Sequence, residues 1–183
     1  MARPARSHRP TFTSVQQAGT VVVYAVLALY AVFALRLLLF SRPPVSERSV
    51  NLVPFATISH YLTDGSSGVR RFALGNVRGN VLLFVLLGAY VSVLTRWTVA
   101  RAMVVVASAS GAVELLQGVF ALGASDIDDV MLNGLGGLVG IALVVLLRRV
   151  LPDQERLRAV VAALSLLALP VLLVLLFVIR MRL

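Results

Sequence analysis

Five long apolar stretches, each about as long as a bilayer is thick, constrain this chain more than anything else in it. A spanning helix needs about 20 mainly apolar residues, with a range of about 17–25. Thr20–Phe40, Gly79–Thr95, Ala102–Leu122, Val130–Leu147 and Ala159–Ile179 all qualify. Arg36 near the end of the first and Glu114 inside the third are the charges they carry, and the fifth contains Pro170. None alternates with the period of two that a barrel strand needs. The expected fold is therefore an all-α membrane protein, a bundle of about five transmembrane helices. A basic cytoplasmic tail, 1–19, precedes a single transmembrane domain, 20–183.

Composition excludes the rivals. Of the 183 residues, 59% are hydrophobic and 14% charged, too apolar for a cytosolic enzyme of this size to bury. With no cysteine, a disulfide scaffold, a zinc ribbon and thiol catalysis are excluded. The net charge of +9 comes entirely from arginine. In a membrane chain such an excess speaks first of topology and headgroup contact, and no polar stretch is long enough to form a nucleic-acid-binding face. The first apolar run is too long for a signal peptide and lacks a small-residue cleavage site, so it reads as a retained helix.

Orientation follows from the loops. The Gly123–Asp129 turn carries no basic residue, while Arg148–Arg158 carries four. Cytoplasmic loops favour arginine, which puts the N-terminus inside and the C-terminus outside a bacterial plasma membrane.

In this topology the unusual polar residues fall on the outer side. Glu114 and Gln117 are an i, i+3 pair on one helix face. A carboxylate inside a spanning helix costs on the order of 3 kcal/mol by insertion scales, so Glu114 is expected to face the bundle and to have a partner. The candidates are Asn80, Asn133 and, if it reaches, Arg78. Ser110 lies deeper on the same stripe. The fourth helix opens Ser125-Asp126-Ile127-Asp128-Asp129. Ser125 or Asp126 is the expected cap, and Asp126 and Asp129 sit at the positive helix end. Asp128 is read as no more than part of that capping cluster. Asp126, Asp129, Asn133, Gly136 or Gly137, and Gly140 form one stripe, whose glycines allow another helix to come close. Asn76 and Asn80 share a face of the second helix, and Arg78 offers a fork of donors or snorkels to the interface. In the long first outer loop, Phe55, Ile58 and Leu62 fall on one side of a short interfacial or re-entrant segment. A lone His60 does not make a zinc site. No metal or cofactor is expected.

Four stretches in order, Asn51–Phe55 (NLVPF), Asn76–Gly88 (NVRGNVLLFVLLG), Glu114–Gln117 (ELLQ) and Asp126–Gly140 (DIDDVMLNGLGGLVG), resemble the VanZ-like family of small bacterial integral membrane proteins. The resemblance covers about 51–140. Two departures stand out: no proline precedes Gly88, and no arginine separates Gln117 from the acidic cluster. The resemblance implies a role in antibiotic tolerance or envelope maintenance, since the family's namesake is associated with low-level tolerance of teicoplanin. The expected ligand is an envelope lipid, a cell-wall precursor or a glycopeptide-type antibiotic, held in an outer-leaflet polar cavity. Glu114, Gln117, Asp126, Asp129, Asn133, Asn76, Arg78, Asn80 and Asn51 are the candidate ligand-binding residues. Membrane lipids are the other expected partners. A membrane-embedded hydrolase or transferase acting on a lipid-linked substrate is the alternative, with two carboxylates in unlike surroundings dividing acid and base roles.

Overall fold

The computed structural model describes residues 14–40, 50–64 and 66–151 throughout, and 153–174 in part. It is an all-α membrane-type fold. The helices are α1 (Ser14–Phe40), α2 (Ala56–Thr63), α3 (Ser67–Thr95), α4 (Val99–Phe120) and α5 (Ile127–Val150). Among the described residues, four helices are long and apolar enough to cross a membrane: α1, α3, α4 and α5. The expected fifth span, 159–179, lies mostly outside the described residues, though those described from 154 to 167 are helical.

The helix starts differ from the sequence expectation in one instructive place. The second long helix begins at Ser67 rather than Gly79, with Ser66 as its N-cap: the Ser66 hydroxyl accepts from the Val69 amide at 3.3 Å. Polar residues and arginines from 67 to 78 hide this first part from a hydropathy reading, yet nothing in them breaks a helix. Thr98 caps α4 in the same way, accepting from the Arg101 amide.

The bundle is organised around a close parallel pair, α3 and α5. Their contact rests on glycine. A Cβ at Gly136 would overlap the Val81 carbonyl, one at Gly140 the Val85 carbonyl, and one at Gly88 the Gly137 carbonyl. Backbone therefore lies on backbone, a separation that small residues alone permit. Gly137 serves a third neighbour, since a Cβ there would overlap the Val106 side chain of α4. Around this seam the apolar core joins Val23, Val26, Tyr30 and Phe33 of α1 to Leu83 and Phe84 of α3, Val106 of α4 and Ile141 of α5. The Tyr30 hydroxyl, which needs a partner when buried, donates to the Leu83 carbonyl.

One small parallel ladder completes the fold. β1 (Val50–Asn51) pairs with β2 (Ser125–Asp126), Val50 opposite Ser125 and Asn51 opposite Asp126. It ties the first loop to the turn between α4 and α5.

Candidate functional site

The turn between α4 and α5 is built by local chemistry. Ala121 ends α4 in the left-handed conformation, φ 52°, and its amide donates to the Gln117 carbonyl. The chain then doubles back into β2, and Asp126 caps α5, its side chain accepting from the Asp128 amide at 2.9 Å. The doubling back gives Glu114 its partner. Glu114 Oε2 accepts from the Asp126 backbone amide at 2.7 Å. From the sequence, a partner is expected across the bundle, in Asn80, Asn133 or Arg78. The structure places one on the returning strand, because the left-handed turn at Ala121 lays β2 along the last turns of α4.

Asp126 is a junction. Besides capping α5, Oδ1 accepts from Asn51 Nδ2 at 3.1 Å, and Oδ2 accepts from the Thr57 hydroxyl at 2.5 Å. Asn51 also donates to Thr57 Oγ1 and accepts the Val53 amide. The asparagine of the NLVPF stretch thus fixes its own loop while holding the acidic turn.

Asp128 corrects the sequence reading most sharply. It is buried and takes a larger part than helix-five capping. Its carboxylate accepts from the Phe55 amide at 2.5 Å, the Thr57 amide at 3.0 Å and the Ile58 amide at 3.1 Å. It therefore stands at the N-terminus of α2, where amides lack intrahelical partners and the dipole favours a negative charge. The residue before α2, Phe55, has φ 64° and offers no side-chain cap. The cap comes instead from a residue more than seventy positions away in the chain. Thr57 likewise carries no sequence signal, since its role depends wholly on the ladder that brings Asp126 beside it.

Deeper in the bundle the candidates continue in pairs. Asn76 Nδ2 donates to Asp129 Oδ1 at 2.9 Å, joining α3 to α5. One turn further along both parallel helices come Asn80 and Asn133, both buried. Asn133 Nδ2 donates to the Ser110 hydroxyl of α4 at 2.9 Å. Gln117 Nε2 donates to the Leu38 carbonyl of α1 at 2.8 Å. Among the described residues, one amide atom of each of Asn80, Asn133 and Gln117 is buried without a hydrogen-bond partner: Asn80 Nδ2, Asn133 Oδ1 and Gln117 Oε1. Native interiors leave few such atoms. Arg78 differs from the other candidates: it lies exposed on α3, at the level of the cluster but outside it.

Beside the polar layer lies apolar surface. Leu52, Val53, Phe55 and Leu62 are exposed, Leu62 by 80%, and α2 buries none of its residues. The carboxylates hold this segment from beneath while its apolar side chains face outward.

No solved structure matches the chain. A curated relative, Protein VanZ of Enterococcus faecium, is 32% identical over 169 residues, covering 85% of this chain and 93% of the relative. The profile of the VanZ/LLP1 family matches residues 22–148, a span that contains α3, α4, all but the last two residues of α5, and every carboxylate and amide of the cluster. The chain belongs to the VanZ/LLP1 family of membrane proteins.

Proposed function

We propose that this chain recognises an amphipathic component of the bacterial envelope from the outer side of the plasma membrane, and that its cellular role is antibiotic tolerance or envelope maintenance. The observation that carries the reading is unspent hydrogen-bonding capacity inside a polar layer. Asn80 keeps a buried donor; Asn133 and Gln117 keep buried acceptors. These are the groups that a peptide or sugar satisfies, and a site built to bond such groups discriminates strongly against ligands lacking them. The neighbouring carboxylates, Asp126, Asp129 and Glu114, suit an amine. Arg78 at the rim suits a phosphate. The exposed apolar loop around Leu52 and Phe55 offers a lipid tail somewhere to lie. Together these features fit a cell-wall lipid precursor or a glycopeptide antibiotic carrying an acyl chain. The orientation that goes with this reading puts the N-terminus in the cytoplasm.

The test is binding by the full chain in nanodiscs, with a fluorescent lipid-linked cell-wall precursor and teicoplanin as the two probes. At least one is expected to bind saturably. Glu114→Gln keeps shape and an acceptor oxygen but removes the charge. It is expected to weaken that binding by about tenfold, the scale of one charge-assisted hydrogen bond, while the melting temperature stays near the parent's. If neither probe binds, or the variant binds as well as the parent, the reading fails. Conversion of the precursor to a new product would replace it with the hydrolase or transferase reading.

A further inference from the structure

The opposite end of the bundle holds a different kind of site. A cavity of about 210 Å³ lies where α3, α5 and the C-terminal segment meet. Leu86 and Ala89 of α3, Leu143 and Leu147 of α5, and Val161 and Leu164 of the C-terminal segment are among the residues lining it. Two more lining residues, Val93 and Val144, pack against the fully buried Leu157. Nothing in this lining belongs to the carboxylate cluster.

Arginines follow or precede the lining residues nearest the helix termini. Arg148 directly follows Leu147, and Arg158 lies one helical turn before Val161. Arg148 donates through Nη2 to the Ser92 carbonyl at 2.5 Å, which holds it against α3. Arg96, at the C-cap of α3, adds its charge beside Arg148. Among the described residues, the Nε atoms of Arg148 and Arg158 are both buried without a hydrogen-bond partner. Asp153, an acidic residue nearby, lies 3.7 Å from Arg156. A buried guanidinium N–H left unbonded is costly, and a planar fork of such donors matches a phosphate.

We propose that this cavity is a binding site for an anionic diacyl phospholipid. One acyl chain lies in the apolar groove between α3, α5 and the C-terminal segment. The phosphodiester is held by Arg148 and Arg158, with Arg96 contributing charge. Basic pockets beside membrane helices hold anionic headgroups in this manner. The local excess of arginine selects a lipid with net negative charge over a zwitterionic one, whose own cation meets repulsion.

The experiment uses the full chain in detergent. Melting temperature is followed while dioleoyl phosphatidylglycerol, dioleoyl phosphatidylcholine or inorganic phosphate is titrated, and native mass spectrometry counts retained lipid. A ligand that binds the folded state raises the melting temperature by mass action. Phosphatidylglycerol is expected to act at about tenfold lower concentration than phosphatidylcholine, the scale of one charge-assisted pair. Inorganic phosphate is expected to do nothing. Arg158→Gln should abolish the preference, and Arg148→Gln should do the same where it folds. Leu164→Trp, at an exposed side chain on the groove wall, should reduce retention of both lipids. Equal action of the two lipids on the parent overturns the proposal. So does a preference that survives Arg158→Gln, retention unaffected by Leu164→Trp, or a matching shift with inorganic phosphate, which would mark a simple anion site.

Discussion

Asp128 shows how a single side chain can carry a tertiary junction in this protein. Three backbone amides of the first loop converge on one buried carboxylate. Hydrogen bonds to a charged group contribute about 1.5–3 kcal/mol, and losing the acceptor strands the amides as well. Asp128→Ala is expected to lower stability by about 2–3 kcal/mol and to speed hydrogen exchange at Phe55, Thr57 and Ile58. Unchanged exchange at those amides would mean that α2 is held by something else. Glu114 makes a second, contrasting case. Its oxygen accepts the Asp126 amide, a bond that Gln keeps and Leu cannot. Glu114→Leu should cost about 1–3 kcal/mol in a denaturation series, by stranding a buried amide. Glu114→Gln should remain within about 1 kcal/mol of the parent. Equal losses in the two variants would show that charge, not the hydrogen bond, is what the fold needs there.

At the scale of elements, the decisive feature is the backbone contact between α3 and α5. The Gly136-x-x-x-Gly140 spacing marks a close-approach face in the sequence. Its partner is not marked there, and the structure supplies it: the Val81 and Val85 carbonyls of α3, with Gly88 answering Gly137. Because the obstacle is backbone rather than a flexible side chain, a larger residue cannot be accommodated by a rotamer change. Gly140→Ala is expected to destabilise the detergent-solubilised protein by about 1–3 kcal/mol, and Gly136→Leu or Gly140→Leu by at least as much. Gly79→Ala is the comparison, since a Cβ there meets nothing within 4 Å. It should melt at or above the parent's temperature, because Ala is the better helix former. If Gly140→Ala melts like Gly79→Ala, the two helices are not seated backbone to backbone.

For the whole molecule, the parallel course of α3 and α5 places the β1–β2 ladder, the capped start of α2 and the carboxylates at one end, and the arginines of 148–158 at the other. Since arginine-rich loops stay cytoplasmic, the acidic end is expected to face outward. The chain has no cysteine, so single introduced thiols report cleanly. An impermeant thiol reagent on intact cells should label Ala124→Cys and leave Asp153→Cys untouched until the membrane is permeabilised. The reverse pattern would put the polar cluster in the cytoplasm and remove the basis for an outer-side ligand.

The all-α membrane class is legible in the amino-acid sequence because apolar length is a property of a single segment, and the family is legible in the order of four short motifs. A side-chain cap on α5 is legible to within one residue, Ser125 or Asp126, being a contact between near neighbours, and the structure assigns it to Asp126. Contacts between distant segments are not legible. That Glu114 meets the returning β2 strand, that Asp128 caps α2 rather than its own helix alone, and that Thr57 belongs to the cluster all depend on the left-handed turn at Ala121 and on the ladder joining 50–51 to 125–126. The groove beneath the arginines depends on three segments meeting. A hydrogen bond is satisfied within a few ångströms, and only the tertiary fold decides which distant donors come that near.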